Sequence, residues 1–179
     1  DCKFRGTPTT DPKRKQAVKR DCYVNLGQGP TIVYKAFLRG RYPIAQAYAG
    51  DSFTVDQVQD LGRGRIVRLG TYGDPAAIPS SIWDRLISRA ESHLAYTHQS
   101  GFRPDIAMQS ADTKAQAVAH WNNGRRTFRV ITDLGDIVKG KEILCPASKE
   151  AGRRVQCNAC KLCGGNSTKS PKSIAIVQH

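Results

Sequence analysis

The sequence predicts an α/β fold: a largely parallel open sheet or partial barrel with helices, joined to a cysteine-rich metal-binding C-terminal segment. Three observations carry that expectation. Short apolar stretches recur through the middle of the chain, around Ile66, Val67 and Leu69 and again from Thr127 to Ile131. Segments with helical spacing lie between them, the alternation expected of strands covered by helices. Near the end, Cys157-Asn-Ala-Cys160-Lys-Leu-Cys163 sets three thiols at three-residue steps.

Taken in order, residues 1–29 read as a basic, cysteine-containing loop region punctuated by Gly6, Pro8, Pro12, Gly27 and Gly29. A helix opens at Pro30, a favoured first-turn position, and runs to Leu38 with Ile32, Val33, Ala36 and Phe37 at helical spacing. A short helix spans 54–61, with Thr54 as its cap. Residues 65–70 form a strand. Ser80 or Ser81 caps a helix through Ile82, Trp83, Leu86 and Ile87 that ends near Ala90. Residues 94–97 and 105–109 are strands. An alanine-rich helix over 111–121 stops at Asn122-Asn123-Gly124. Residues 127–131 make a strand with β-branched and aromatic side chains, and 173–177 a final one. Four or five strands are too few to close an eight-stranded barrel. The chain is expected to be a single domain, with an α/β core over 30–138, the cysteine-rich segment over 139–172 and the last strand over 173–179.

The 179 residues carry 28 Lys and Arg against 15 Asp and Glu, a net charge of +13. A field of that sign attracts polyanions, above all the backbone of DNA or RNA. The excess is uneven: residues 1–41 hold ten Lys/Arg and three Asp, and residues 147–172 six Lys/Arg and one Glu. Lys13, Arg14, Lys15, Arg153 and Arg154 are the candidate phosphate contacts, and Arg125-Arg126 adds to the basic surface. Aromatic residues are 7 % of the chain, too few for a broad base-stacking platform. No apolar run approaches the roughly 20 residues that cross a bilayer, so no membrane partner is expected. The chemistry expected of the cysteines places the protein in a reduced, cytoplasmic compartment.

Six cysteines could form disulfides, but Cys-x-x-Cys steps aim sulfurs at a common centre, as metals require. Cys145, twelve positions before Cys157 and followed by Pro146, can add a fourth thiolate. A three-step run with a remote cysteine beside proline resembles iron–sulfur ligation, of the 4Fe–4S type, more than zinc, which favours two separated pairs. An iron–sulfur cluster is therefore the first expectation and zinc the alternative. Cys2 and Cys22 are a weaker second group: further ligands, plain thiols or a disulfide. Gly164 and Gly165 suit close approach of backbone amides to sulfur.

A second candidate site lies where predicted strands end. Asp74, Tyr96, His98 and Asp112 sit there, in the rim that carries function in parallel α/β folds. Asp74 and His98 are the candidate catalytic acid–base groups. No phosphate-binding loop or dinucleotide fingerprint is present.

Asp1-Cys2-Lys3-Phe4-Arg5-Gly6, Cys22-Tyr23, Arg68-Leu69-Gly70-Thr71-Tyr72-Gly73-Asp74-Pro75, Tyr96-Thr97-His98-Gln99 and Cys145-Pro146-Ala147 with Cys157, Cys160 and Cys163 together resemble a family of phage and prophage proteins. The resemblance covers nearly the whole chain. It implies a viral or mobile-element origin and a bacterial host cell. The architecture is also distantly similar to radical S-adenosylmethionine enzymes, although their Cys-x-x-x-Cys-x-x-Cys loop is absent and the triplet stands at the opposite end. Three functions follow as expectations. The first is a metal-binding, nucleic-acid-associated phage-type protein. The second is an enzyme with a strand-end pocket beside a metal cluster. The third is a zinc-stabilised interaction module acting on a host protein.

Overall fold

The computed structural model describes residues 6–11, 13, 17–19, 29–42, 55–153, 155–166 and 170–178. Two units divide the chain, residues 1–51 with 178–179 and residues 52–177. In the first, Thr7–Pro8 (β1) pairs antiparallel with Ala17–Val18 (β2), inside the stretch expected to be loop. Helix α1, Gly29–Leu38, follows the expectation to within one residue.

The second unit runs through α2 (Val55–Gly62), β3 (Ile66–Arg68), α3 (Ser80–Ser88), β4 (Ser92–Leu94), β5 (Tyr96–Thr97), β6 (Met108–Ala111), α4 (Lys114–Asn122), β7 (Thr127–Ile131), β8 (Glu142–Leu144), α5 (Cys157–Cys160) and β9 (Ser173–Val177). Strands β5, β6, β7, β9 and β8 lie side by side in that order, and every neighbouring pair is parallel. β3 pairs with β4, also parallel, and β4 continues into β5 with one break at Ala95. The expected parallel α/β architecture is the observed one. Thr54, the cap expected for α2, lies outside the described residues.

Side chains alternate between the two faces of a strand, and the two faces of this sheet differ. On one, Leu69, Ala95, Ile106 and Ala107 form a buried cluster beneath Trp83, Leu86 and Ile87 of α3. Helix α4 covers the same face: the Trp121 indole N–H bridges the hydroxyls of Thr127 and Ser173 at 3.0 and 2.8 Å. On the other face, Leu94, Met108, Ile174 and Cys163 cluster with Tyr96, Phe128, Ile143, Cys145 and Leu162. The cysteine segment thus does for this face what helices do for the first.

Chain direction explains the division. Crossovers between parallel strands are right-handed. The β6-to-β7 connection moves one way across the sheet and carries α4 on the first face. The β8-to-β9 connection moves back the other way, so a right-handed crossover must lie on the opposite face. That connection holds Cys157, Cys160 and Cys163.

The helix expected over 111–121 starts later, because Ala111 is still in β6. Thr113 caps the helix: its hydroxyl accepts from the Gln116 N–H while the Gln116 side chain accepts from the Thr113 N–H. The strand expected over 105–109 begins only at Met108, since Ile106 and Ala107 are held in a turn by the Arg103 carbonyl. β8 lies within the stretch, 139–172, expected to be the cysteine-rich segment. The sheet needs Glu142. Its carboxylate takes two hydrogen bonds from Arg129, at 2.8 and 2.6 Å, and one from the Val138 N–H at 2.9 Å. Both side chains are buried, reaching across β9 over the small residues Ser173 and Ala175.

Two glycines let the cysteine segment enter the sheet. Gly164 pairs with Ala95, and a Cβ there would lie 2.8 Å from the His93 carbonyl oxygen. Gly165 has φ +64, and its Cβ would lie 2.5 Å from the Pro104 carbonyl oxygen and 2.6 Å from that of Asp105. Their role here is close approach to strand backbone. Gly165→Ala should cost about 2 kcal/mol or more, read as a lowered urea midpoint with an unchanged slope.

Candidate metal centre

Cys145 sits at the carboxyl end of edge strand β8, and its N–H continues the ladder to the Ala175 carbonyl at 2.7 Å. The chain then turns through Pro146. The N–H groups of Ala147 and Ser148 both donate to the Cys145 sulfur, which offsets part of the upward push that burial gives this thiol. Two N–H donors on one sulfur are what a thiolate requires. Close by, the Ser148 hydroxyl is buried and has no hydrogen-bond partner among the described residues.

Cys157 and Cys160 occupy one helical turn, α5, which Lys161 ends in the left-handed conformation (φ 55). That reversal sends Leu162 and Cys163 back to the sheet, where the Cys163 carbonyl accepts from the Ala95 N–H at 3.0 Å. Cys163 is buried and Cys157 exposed, and Cys145 and Cys160 are half-buried. Burial pushes the Cys163 thiol up to about 11, opposed by a hydrogen bond from the Tyr96 hydroxyl. Tyr96 lies between the Phe128 ring, at a centroid distance of 4.5 Å, and the Arg68 guanidinium, 5.8 Å from its own ring centre.

The four thiols share one neighbourhood. Ionising Cys157 or Cys160 pushes up Cys145, and ionising Cys145 or Cys160 pushes up Cys163. They do not close on one point: among the described residues no three His, Cys, Asp or Glu side chains form a group ready to hold a metal ion. The donors are of a kind that would suit a thiolate-bound metal: Cys145 and Cys163 are anchored to strands, and Cys157 and Cys160 lie on one helical turn. Cys2 and Cys22 lie outside the described residues.

The loop is fastened by Arg126, a residue expected on the basic surface but in fact 6 % exposed. Its guanidinium donates to the carbonyls of Leu162 (2.9 Å), Gly165 (2.7 Å) and Lys172 (2.9 and 2.7 Å). Asn166 adds to the fastening, receiving the Arg126 N–H at 3.1 Å and donating to the Gly124 carbonyl at 2.9 Å.

Thiols held protonated by burial bind metal only by releasing protons. Because burial raises Cys145 and Cys163, the neutral thiol dominates at neutral pH, and metal affinity should rise with pH up to about 11 at Cys163. Chelator-competition titrations with zinc at pH 6.5 and 8.5, as about-neutral brackets, should show tighter binding at the higher value. Equal affinities would mean the buried thiols are not ligands.

The strand-end residues come together only in part. The Asp74 carboxylate accepts from the Thr97 hydroxyl (2.7 Å), the His98 N–H (2.9 Å) and the Ala76 N–H (2.9 Å). Its geometry is that of a group tying two loops together. His98 Nε2 lies 3.7 Å from an Asp112 carboxylate oxygen, with the imidazole largely exposed. Tyr96 faces the opposite side of the sheet, toward Cys163. Depressions of about 410 and 270 Å³ occur elsewhere, and neither is lined by Asp74, His98 or a cysteine.

Of the expected phosphate contacts, Lys13 and Arg153 are exposed, while Arg14, Lys15 and Arg154 lie outside the described residues. No helix among the described residues is long and apolar enough to cross a membrane.

Fold and site together define the class: an α/β protein whose parallel sheet carries helices on one face and a cysteine-rich crossover on the other. Neither a protein-family model, nor a curated protein, nor a solved structure matches the chain significantly.

Proposed function

We propose that this protein binds a metal centre through Cys145, Cys157, Cys160 and Cys163, an iron–sulfur cluster before zinc, and that it is a phage-type protein associated with nucleic acid. The observation that carries the metal reading is that Cys145, from the end of β8, shares one neighbourhood with the Cys157, Cys160 and Cys163 run, on the sheet face opposite α3 and α4. Two supports stand beside it: the paired N–H donors on the Cys145 sulfur and the Tyr96 hydroxyl on that of Cys163. The three-step cysteine run with a remote cysteine beside proline favours a cluster over zinc. When bound, such a cluster would supply one-electron chemistry or a structural clamp. The chain's own residues hold it. Cys145 and Cys163 are fixed to strands, and Cys157 and Cys160 stand on the α5 turn.

The nucleic-acid reading rests on the net charge of +13 and its concentration in the cysteine-bearing segments. The phage reading rests on the motif resemblance. Anaerobic purification, an absorption spectrum and elemental analysis test the metal. A brown protein carrying iron and sulfide supports the first reading. Stoichiometric zinc in a colourless protein replaces it with the structural alternative, and neither metal removes both. Filter binding of DNA and RNA tests the partner: affinity should fall steeply with salt, and no retention at low salt sinks the association.

A further inference from the structure

Arg126 is a buried cation with no carboxylate partner among the described residues. Its guanidinium hydrogen bonds go to backbone carbonyls, whereas Arg129, also buried, is paired with Glu142. Desolvation pushes its guanidinium down, and the charge that opposes this is that of the Cys163 sulfur. An unpaired buried charge is costly unless something of opposite sign stands near it.

The carbonyls it holds explain why it lies there. Leu162 precedes Cys163 and Gly165 follows it by two, so one guanidinium grips the ligand-bearing backbone on both sides of the buried thiol. Four thiolates around a dication leave a net charge of about −2, in a place where a buried cation is otherwise uncompensated.

Building on the metal reading above, we infer that Arg126 is the counter-charge of the cysteine centre: it positions the loop around Cys163 and neutralises part of the negative charge that the metal-bound thiolates carry. Arg126 is a positioning residue and not a ligand. A guanidinium that only knits loop backbone would serve equally well beside empty thiols. A counter-charge must be felt by the metal.

The test uses the full chain, reconstituted anaerobically with ferrous iron and sulfide, and separately with zinc, as wild type, Arg126→Lys and Arg126→Gln. Lysine keeps the charge but cannot fork across three carbonyls. Glutamine keeps hydrogen bonding and loses the charge. Arg126→Gln should weaken zinc binding roughly ten- to a hundredfold and move the cluster's midpoint potential to a more negative value, because removing a nearby cation disfavours the reduced, more negative state. Arg126→Lys should keep a potential near that of wild type. Two outcomes overturn the inference. In one, Arg126→Gln binds metal with wild-type affinity and potential. In the other, Arg126→Lys loses metal or potential as fully as Arg126→Gln, which makes Arg126 a backbone clamp only. If Arg126→Gln does not fold, the lysine variant alone decides between charge and clamp. A wild-type chain that takes up neither metal overturns the metal reading itself, and this inference with it.

Discussion

Glu142→Ala should destabilise the second unit by about 3–5 kcal/mol, the largest single-residue effect expected on folding. Glu142 is fully buried, and its carboxylate answers an Arg129 guanidinium that is itself only 6 % exposed. Removing the carboxylate strands a cation inside the protein and orphans the Val138 N–H as well. Among the described residues Arg129 would keep the Asp136 carbonyl, at 2.8 Å, as a hydrogen-bond partner. The double variant with Arg129→Met should recover part of the loss, because taking away both charges costs less than leaving one unpaired. Urea denaturation of the two variants and wild type provides the comparison. A single-variant loss below about 1 kcal/mol would mean that water reaches the pair and that the β7–β9–β8 edge is looser than described.

Cys163→Ala should abolish metal binding while leaving the fold in place. Cys163 is the most firmly held of the four thiols: its carbonyl is bonded to Ala95, its sulfur takes the Tyr96 hydroxyl, and its neighbours are gripped by Arg126. Affinity should fall by more than the roughly hundredfold attributed to a lost outer partner. The same change in the metal-free protein removes one buried sulfur and should cost only about 1–2 kcal/mol. Those two numbers separate a ligand from a packing residue. If metal content is unchanged, Cys163 is a core thiol. If the metal-free protein unfolds, its packing role was underestimated, and the affinity must then be read on Cys163→Ser.

Most of the framework could be read from the residues. Thr127 to Ile131 and Ser173 to Val177 are strands to the residue, since runs rich in β-branched side chains, with no residue exposed, leave little choice of structure. The α3 helix was legible from Ile82, Trp83, Leu86 and Ile87. β8 was not: three residues, one of them a glutamate, give no strand signal until Arg129 is seen to need Glu142. The end of β6 was mistaken for helix because Ala111 suits both, and the Thr113–Gln116 capping box was the overlooked boundary. In the candidate site, the cysteine spacing was legible but its supports were not. Nothing in one sequence tells that Arg126 is buried while Arg125 beside it is not. Nor does it tell that Tyr96 faces Cys163 and not His98. Both depend on strand parity and register, which follow only once the sheet is assembled.

The central claim is that sulfur surrounds the metal, with the cysteines of this chain as its protein ligands and, in a cluster, inorganic sulfide completing the shell of each iron. X-ray absorption of the metal-loaded full-length protein, at the iron or the zinc edge, tests it most directly. A first shell of about four sulfur scatterers near 2.3 Å is expected. A first shell dominated by nitrogen or oxygen near about 2.0–2.1 Å would contradict it and place the metal away from Cys145, Cys157, Cys160 and Cys163.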